Sequence, residues 1–400
     1  MKRRVKVTGI GPVTPAGIGV RDFWNGLFRG KSYIRRFDRL GLEENSLVAA
    51  TVPETQLRSR VRDLSLPKET ARHTEFAVLG ASLAIADAGL ERKDLEEKYC
   101  AIVVGASLLD FGGIGKSFNA VWKRGIRGAQ ARVVFTSTLT NISDTIACNL
   151  GVSSKSFAVQ TSCCAGLDAI GQAFRLIEGG EVDLAICGGT EAPLHTFPLL
   201  ELRAAGLTPN SSDNSDTIAR PFDLWRTTGV VSEGACFFVL EPEESPRKPY
   251  AWLSGYSFSS DSGGLLCSGL VEANMQTLAD AKLNIAGLGC ISAWGPGHRL
   301  VDEAECIALE RVFKNSVGKI PAFSIKGSVG SPLGAAPAIQ AAAALLGMSR
   351  SVVLGTVNWE RPDPSCRLSL SKLCRYLRYE NVLVNAHGVG GVNSSIIFKR

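Results

Sequence analysis

Phe157-Ala-Val-Gln-Thr161, followed by Ser162-Cys163-Cys164-Ala165-Gly166, decides the fold, because a strand-like apolar run passes directly into a helix. Apolar side chains then recur at helical spacing until Gly179-Gly180, at Leu167, Ile170, Phe174 and Ile177. A thiol in the first turn of a helix faces unpaired N–H groups and the positive end of the helix dipole, which favour the thiolate. A buried structural role is the alternative for either cysteine, and the sequence that surrounds Cys163 favours a nucleophile there. For Cys164 we favour the alternative, a buried structural cysteine.

Four further segments surround this motif along the chain. The first runs Val5-Lys-Val-Thr-Gly-Ile-Gly-Pro-Val-Thr-Pro-Ala-Gly17, and Gly188-Gly-Thr-Glu-Ala192 follows the helix. The others are Arg220-Pro-Phe-Asp223 with Ser232-Glu-Gly-Ala235, and Asn385-Ala-His-Gly-Val-Gly-Gly-Val-Asn393. In this order the five segments resemble the β-ketoacyl-acyl carrier protein synthases of the thiolase superfamily, elongating type. The resemblance spans the whole chain and implies a duplicated α-β-α-β-α sandwich with mixed five-stranded sheets.

The chain has 400 residues, of which 45% are hydrophobic and 20% charged, so it can bury a large core. Strand-like runs alternate with helical ones, which predicts an α/β fold with largely parallel sheets. The runs are Val5–Gly9, Cys100–Gly105 and Val182–Gly188, then Ala251–Ser257, Cys290–Ala293 and Asn381–Asn385. The proline-rich segment 241–249 separates them and predicts two halves, 1–243 and 250–400.

In the family that the chain resembles, a cysteine accepts an acyl chain as a thioester. Two histidines stabilise the enolate formed when malonyl thioester loses CO2. Here Trp294 and Ser331 stand at the two histidine positions, whereas Lys326 and Glu305 keep the positions of a supporting charge pair. Neither an indole nor a hydroxyl exchanges protons near neutral pH as imidazole does. The resemblance therefore implies that the decarboxylating half of the site is missing.

Two more departures lie near the nucleophile. His387 and Val389 replace two phenylalanines that gate the acyl pocket, and the resemblance makes the Val389 N–H an oxyanion donor together with that of Cys163. His298 stands where the family has a threonine beside the carrier's pantetheine arm. His387 and His298 are candidate bases, although both can equally fill space left by lost residues. For the remaining histidines we expect a surface position at His73 and a structural role at His195.

The resemblance also implies an assembly. It places Leu108, Leu109, Val133 and Val134 in an acyl-tunnel wall shared across a dimer. It makes 157–161 a strand at the dimer edge, which would be left unpaired in an isolated chain. We expect a heterodimer with a complete ketosynthase, and otherwise a homodimer. Both would act on an acyl carrier protein with a phosphopantetheine-linked acyl chain.

Composition excludes several classes. No apolar run spans a bilayer, and Met-Lys-Arg-Arg leads into a strand, so we expect a soluble, cytoplasmic protein. Eleven scattered cysteines favour reduced thiols and offer no metal-ligand spacing; no metal or cofactor is predicted. The net charge of +6 comes without interleaved aromatic residues, which excludes nucleic-acid binding, while a basic rim would steer an acidic carrier.

Three functions remain. The first is a ketosynthase-like subunit, condensing-deficient alone, that acts as chain-length factor in a type II fatty acid or polyketide system, the polyene type included. The second is a Cys163-dependent acyltransferase without decarboxylation, which needs a nucleophile, an oxyanion hole and a base. The third, which we favour least, is a condensing homodimer with relocated histidines.

Overall fold

A computed structural model describes residues 2–38, 47–211 and 214–400. Its strands in chain order, β1 to β15, are Val5–Thr14, Gly17–Ile18, Ile34–Arg36, Val48–Ala50, Cys100–Gly105, Ser154–Val159, Leu184–Glu191, Gly234–Pro242, Ala251–Ser260, Cys290–Ser292, Ala322–Phe323, Val352–Val353, Arg375–Tyr376, Asn381–Gly388 and Val392–Lys399. The helices, α1 to α13, are Val20–Phe28, Glu54–Val61, Arg72–Asp87, Arg92–Glu96, Phe111–Arg124, Arg132–Thr136, Thr140–Leu150, Ala165–Glu178, Thr196–Ala204, Ser268–Asp280, Arg299–Phe313, Lys326–Val329 and Ala336–Arg350.

The main sheet repeats one pattern twice. Its first half has the order β6-β5-β7-β8-β1, and its second half has the equivalent order β11-β10-β14-β15-β9. In each half, three parallel strands are followed by two antiparallel ones. Three residue pairs between β1 and β9 join the halves into one continuous sheet. The predicted boundary at 243–250 falls between β8 and β9 and stays a prediction.

Five layers enclose the core. Helices α3 and α7 pack on the outer face of the first half, and α10 and α11 cover the second. Between the halves, α8 packs against α13, whose alanine-rich sequence is buried along almost its whole length. Small side chains permit this close approach of helix and sheet. The fold is the predicted thiolase-like α/β sandwich.

The two central helices begin alike. The 3-10 turn Ser162–Cys164 leads into α8, and the 3-10 turn Leu333–Ala335 leads into α13. The first residue of each turn has left-handed backbone geometry, with φ of 52° at Ser162 and 41° at Leu333. Each turn thus places a helix N-terminus at the same end of the sandwich.

Most local predictions are confirmed. Each predicted strand-like run overlaps a strand, and the apolar face of α8 is buried up to the C-cap at Gly179. Two predictions are wrong. His73 is buried within α3 because it lies on the helix face that packs on the sheet, and burial lowers its pKa to about 4. Cys306 and Cys366 form a disulfide, so not every cysteine is a free thiol.

Candidate active site

The nucleophile turn is fixed by close packing against the closing loop. A Cβ atom at Gly388 would lie 3.1 Å from the main-chain nitrogen of Cys163, a tighter contact than most side chains make, so glycine favours this close approach. Behind the turn, the buried carboxylate of Asp168 accepts hydrogen bonds from Thr161, Ser394 and the hydroxyl of Tyr256. Burial raises the pKa of Asp168 to about 6. The turn is therefore anchored from both sides.

Burial dominates the chemistry of the thiol. Cys163 is 9% exposed, and desolvation raises its pKa, although the N–H of Val389 and the hydroxyl of Ser162 act in the opposite direction. Burial therefore opposes the preference for the thiolate that the position at the helix start gives. Cys164 is fully buried, burial raises its pKa well above the usual value, and its Sγ donates to the carbonyl of Val392 at 3.3 Å.

Trp294 follows β10 and is 3% exposed. Its main-chain N–H donates to Glu305 at 2.8 Å, and Lys326 donates to its carbonyl oxygen. The Lys326 ammonium also lies 3.6 Å from the centroid of the indole ring. The two charged side chains therefore hold the peptide and the ring of Trp294.

This arrangement corrects the expected charge pair. Lys326 donates to Trp294 and to Oε1 of Gln340 at 2.8 Å, and the structure records no direct ion pair with Glu305 among the described residues. Glu305 instead accepts the N–H groups of Trp294 and Gly295, each at 2.8 Å. Because both groups are buried, desolvation lowers the pKa of Lys326 to about 7 and raises that of Glu305.

The other candidate residues lie around this centre. Ser331 pairs its backbone with Val230, whose carbonyl accepts the Ser331 N–H at 2.8 Å. His298 is the N-terminal cap residue of α11; its Nδ1 is buried without a hydrogen-bond partner among the residues that the structure describes, and burial lowers its pKa. His387 lies in β14 and is 5% exposed. Its Nδ1 is 2.8 Å from Oδ1 of Asn393.

The site also holds a carboxylate that sequence reasoning missed, and one of the predicted tunnel residues donates to it. Glu191, at the end of β7, accepts the N–H groups of Leu108 and Gly334, each at 3.1 Å. Burial raises its pKa to about 7. Leu108 thus lies at the site, whereas Leu109 is 40% and Val134 is 70% exposed in the single chain. Glu191 lies within the Gly-Gly-Thr-Glu motif, the only sequence signal that marks it.

Within the described part of the chain, no group of three or more metal-ligating side chains comes together. None of the helices there is long and apolar enough to cross a membrane.

His195, at the start of α9, packs against Gly112, where a Cβ atom would lie 2.5 Å from its ring. The residues gathered at the site are therefore a thiol, backbone donors, a lysine, carboxylates and one imidazole.

The duplicated sandwich, with a cysteine at the start of a central helix, defines a thiolase-like fold. Residues 2–245 match the N-terminal domain of the beta-ketoacyl synthases and residues 250–360 match the C-terminal domain, so the chain belongs to this family.

Relatives and solved structures align along the whole length. The tetracenomycin polyketide synthase ketoacyl synthase alpha subunit of Streptomyces glaucescens is 28% identical, covering 100% of this chain and 97% of its own. The ishigamide ketosynthase/chain length factor has a TM-score of 0.92 at 26% identity over 100% of this chain and 99% of its own. A chain of AntDE:AntF, a type II polyketide acyl carrier protein in complex with its ketosynthase bound to the hexaketide, has a TM-score of 0.90 at 26% identity, covering 100% of both.

Proposed function

We propose that this chain is a ketosynthase-like subunit that does not condense alone, pairs with a complete β-ketoacyl synthase and acts as its chain-length factor. It would serve a type II fatty acid or polyketide system, the polyene type included. The observation that carries this proposal is Trp294. Its ring is buried at the position where the family holds its first imidazole, and Lys326 packs against it.

Decarboxylation of a malonyl thioester requires donors that stabilise an enolate oxygen. The indole of Trp294 is buried and Lys326 packs against it, so the ring has little freedom to turn. The serine at the second position has a shorter side chain than the imidazole it replaces. Removing two such donors costs several powers of ten in rate, since one alone is worth about 100- to 1000-fold.

A partner is supported by an unusually apolar surface. Helix α5 has no buried residue in the single chain, and β6 pairs on one side only. Along α5 and α6 the following side chains are largely exposed: Phe118, Trp122, Ile126, Val134 and Phe135. Beside them a cavity of about 740 Å³ opens between α5 and α9, lined by Phe111, Ile114, Phe118, Phe197 and Leu200. Such a surface is typical of an obligate interface.

A second candidate function is a Cys163-dependent acyltransferase. The retained thiol and the Val389 N–H directed at it favour this function, because both serve thioester exchange without decarboxylation. The two functions are compatible, since one concerns the partner's product and the other concerns this chain's own thiol.

The decarboxylation test uses malonyl carrier protein and the purified chain, alone and in complex with a ketosynthase whose two catalytic histidines are replaced by alanine, because the partner's own imidazoles would otherwise release CO2. We expect no CO2 release from the wild-type subunit. The double variant Trp294→His with Ser331→His is the matched gain-of-function control, and CO2 release from it would show that the rest of the site is competent. Keto product from the wild-type chain alone would contradict the proposal.

A further inference from the structure

A groove of about 310 Å³ runs between α10 and α11 on the outer side of the second half. Large apolar side chains form its rim, where Leu265 is 61%, Leu300 is 62% and Ile307 is 46% exposed. Between them lie the small side chains of Ala304 and Ala308, which pack towards α10. A surface on which large and small side chains alternate is suited to interdigitate with another surface of the same kind.

Helix α11 contributes one continuous stripe to this groove, which consists of Leu300, Glu303, Ala304, Ile307, Ala308 and Arg311. The residues follow the spacing i, i+3, i+4, i+7, i+8 and i+11, which is typical of a helix face that packs against another helix. The core of the second half uses the other face of α11, with the buried side chains of Asp302, Glu305 and Leu309. The α11 stripe is therefore left partly open to solvent in the single chain.

The α11 stripe carries two opposite charges, Glu303 towards one end and Arg311 towards the other. Neither makes a hydrogen bond or an ion pair with any residue that the structure describes. About 12 Å of helix separates them, so they are not neighbours in the way that residues three or four apart are. The α10 side of the groove, from Leu265 to Val271, contributes no charged side chain. Both charges are therefore free to pair with a second molecule.

A second copy of α11 that runs antiparallel to the first would pair both charges at once. Ile307 lies midway between positions 303 and 311, so a two-fold axis at Ile307 places Glu303 of each copy opposite Arg311 of the other. Ile307 then meets its own counterpart, and the alanines leave room for the rim side chains of the other copy. We propose that the α11 stripe is a contact surface between two copies of this chain, related by this two-fold axis.

This contact goes beyond the chain-length role and does not depend on it. Helix α5 follows β5 in the first half of the sheet, whereas α11 lies between β10 and β11 in the second. The two surfaces can therefore be occupied together, and the α11 contact would join two subunit pairs. One pair of helices is small beside a standard interface of about 1,600 Å², so we expect an association that depends on protein concentration.

Charge reversal tests the pairing. Glu303→Arg occurs once in each copy and creates two like-charge pairs, so the dimer dissociation constant should rise by about 10-fold or more at low ionic strength. Arg311→Glu should have the same effect, and the variant with both changes should return to within about 3-fold of the starting value. Glu97→Arg, at an exposed position of the first half, is the matched control. Sedimentation velocity over a concentration series measures the constants, with Phe118→Asp and Trp122→Asp in every chain to block contacts through α5.

Ile307→Cys tests the position of the axis in an otherwise unchanged chain. A residue on the axis meets itself, so diamide, which takes up the two hydrogens, should join the two introduced thiols in a disulfide between chains. Leu300→Cys is the matched control, because position 300 would face position 314 and its two introduced thiols would lie about 21 Å apart along the helix. The wild-type chain, with its own exposed Cys148, gives the background.

A chain that stays monomeric at every concentration would overturn the proposal. A charge-swapped double variant no tighter than the single variants, or equal cross-linking of Ile307→Cys and Leu300→Cys, would overturn it as well. The carrier protein is the competing occupant of the groove. If Ile307→Asp abolished acyl loading from an acyl carrier protein and left the association of the chains unchanged, the groove would belong to the carrier and the proposal would be wrong.

Discussion

At the scale of single residues, one replacement changes the role of its neighbours. Lys326 and Glu305 occupy positions that support an imidazole in the family, yet here they fix an indole through its peptide. The residues that support this position are therefore kept, although the side chain that they support is different. A buried lysine held in this way contributes to the fold whether or not catalysis occurs.

Lys326→Met should destabilise the protein, because the carbonyl of Trp294 and Oε1 of Gln340 would be left as buried acceptors, each costing about 1–3 kcal/mol. Desolvation lowers the folded-state pKa of Lys326 from 10.5 to about 7. Between these values the unfolded chain binds the extra proton, so this lysine makes wild-type stability rise with pH. Denaturant unfolding of both proteins at pH 7 and 9.5 should show a larger difference at pH 9.5. A difference independent of pH would refute the assignment.

The two adjacent thiols should react in a fixed order. Iodoacetamide should modify Cys163 before Cys164, since only Cys163 retains exposure and burial raises the pKa of Cys164 further. Peptide mass mapping after short exposure checks this order. Modification of Cys164 first, or of neither, would favour a purely architectural turn.

At the scale of helices and strands, the local sequence pattern was sufficient to predict an element where the surrounding structure favours the same conformation. Cys100–Gly105 is a run of apolar residues and forms β5 with those same bounds. The surface position predicted for His73 was wrong, because one polar residue at a helix start does not reveal the sheet that will cover it. The disulfide was not predicted for a related reason. Cys306 and Cys366 are 60 residues apart in the sequence, and only the folded chain brings them together.

The exposed face of α5 should be the partner's contact surface. Phe118 and Trp122 lie one helical turn apart with ring centroids 6.4 Å apart. Phe118→Asp with Trp122→Asp should abolish co-purification with the ketosynthase and leave the circular dichroism of the chain unchanged. Leu373→Asp, at a residue that is 73% exposed outside α5 and α6, is the matched control. Retention of the complex by the double variant would contradict the interface.

At the scale of the whole molecule, motif positions led to the thiol, the two replaced histidines and Val389, because these lie in segments with recognisable spacing. The support of His387 was not predictable in this way. Asn393 and Asp261 are 132 residues apart, and their hydrogen bond depends on the pairing of β15 with β9. The opposing effects of burial and of hydrogen bonds on the pKa of Cys163 likewise depend on the packed core.

The prediction at this scale concerns the acyl-tunnel wall that the family resemblance implies for a dimer. Leu109→Trp or Val134→Trp should shorten the product of the partner ketosynthase. Both side chains are exposed in the single chain and are expected to face the shared tunnel, so a larger side chain would leave less room for the acyl chain. Mass spectrometry of products from the reconstituted system measures the length. Leu373→Trp should leave it unchanged. A series with constant length would exclude a wall function for these residues.

The twin turns that open α8 and α13 suggest how the molecule arose. Gly334 occupies the place in the second turn that Cys163 holds in the first, and its N–H binds Glu191 from the other half. An ancestral gene duplication would leave two equivalent turns, of which one came to carry the thiol and the other came to bind a carboxylate of the first half. Because the turn with Gly334 preserves the shape of the surroundings, residues around the turn with Cys163 can be lost or exchanged during evolution.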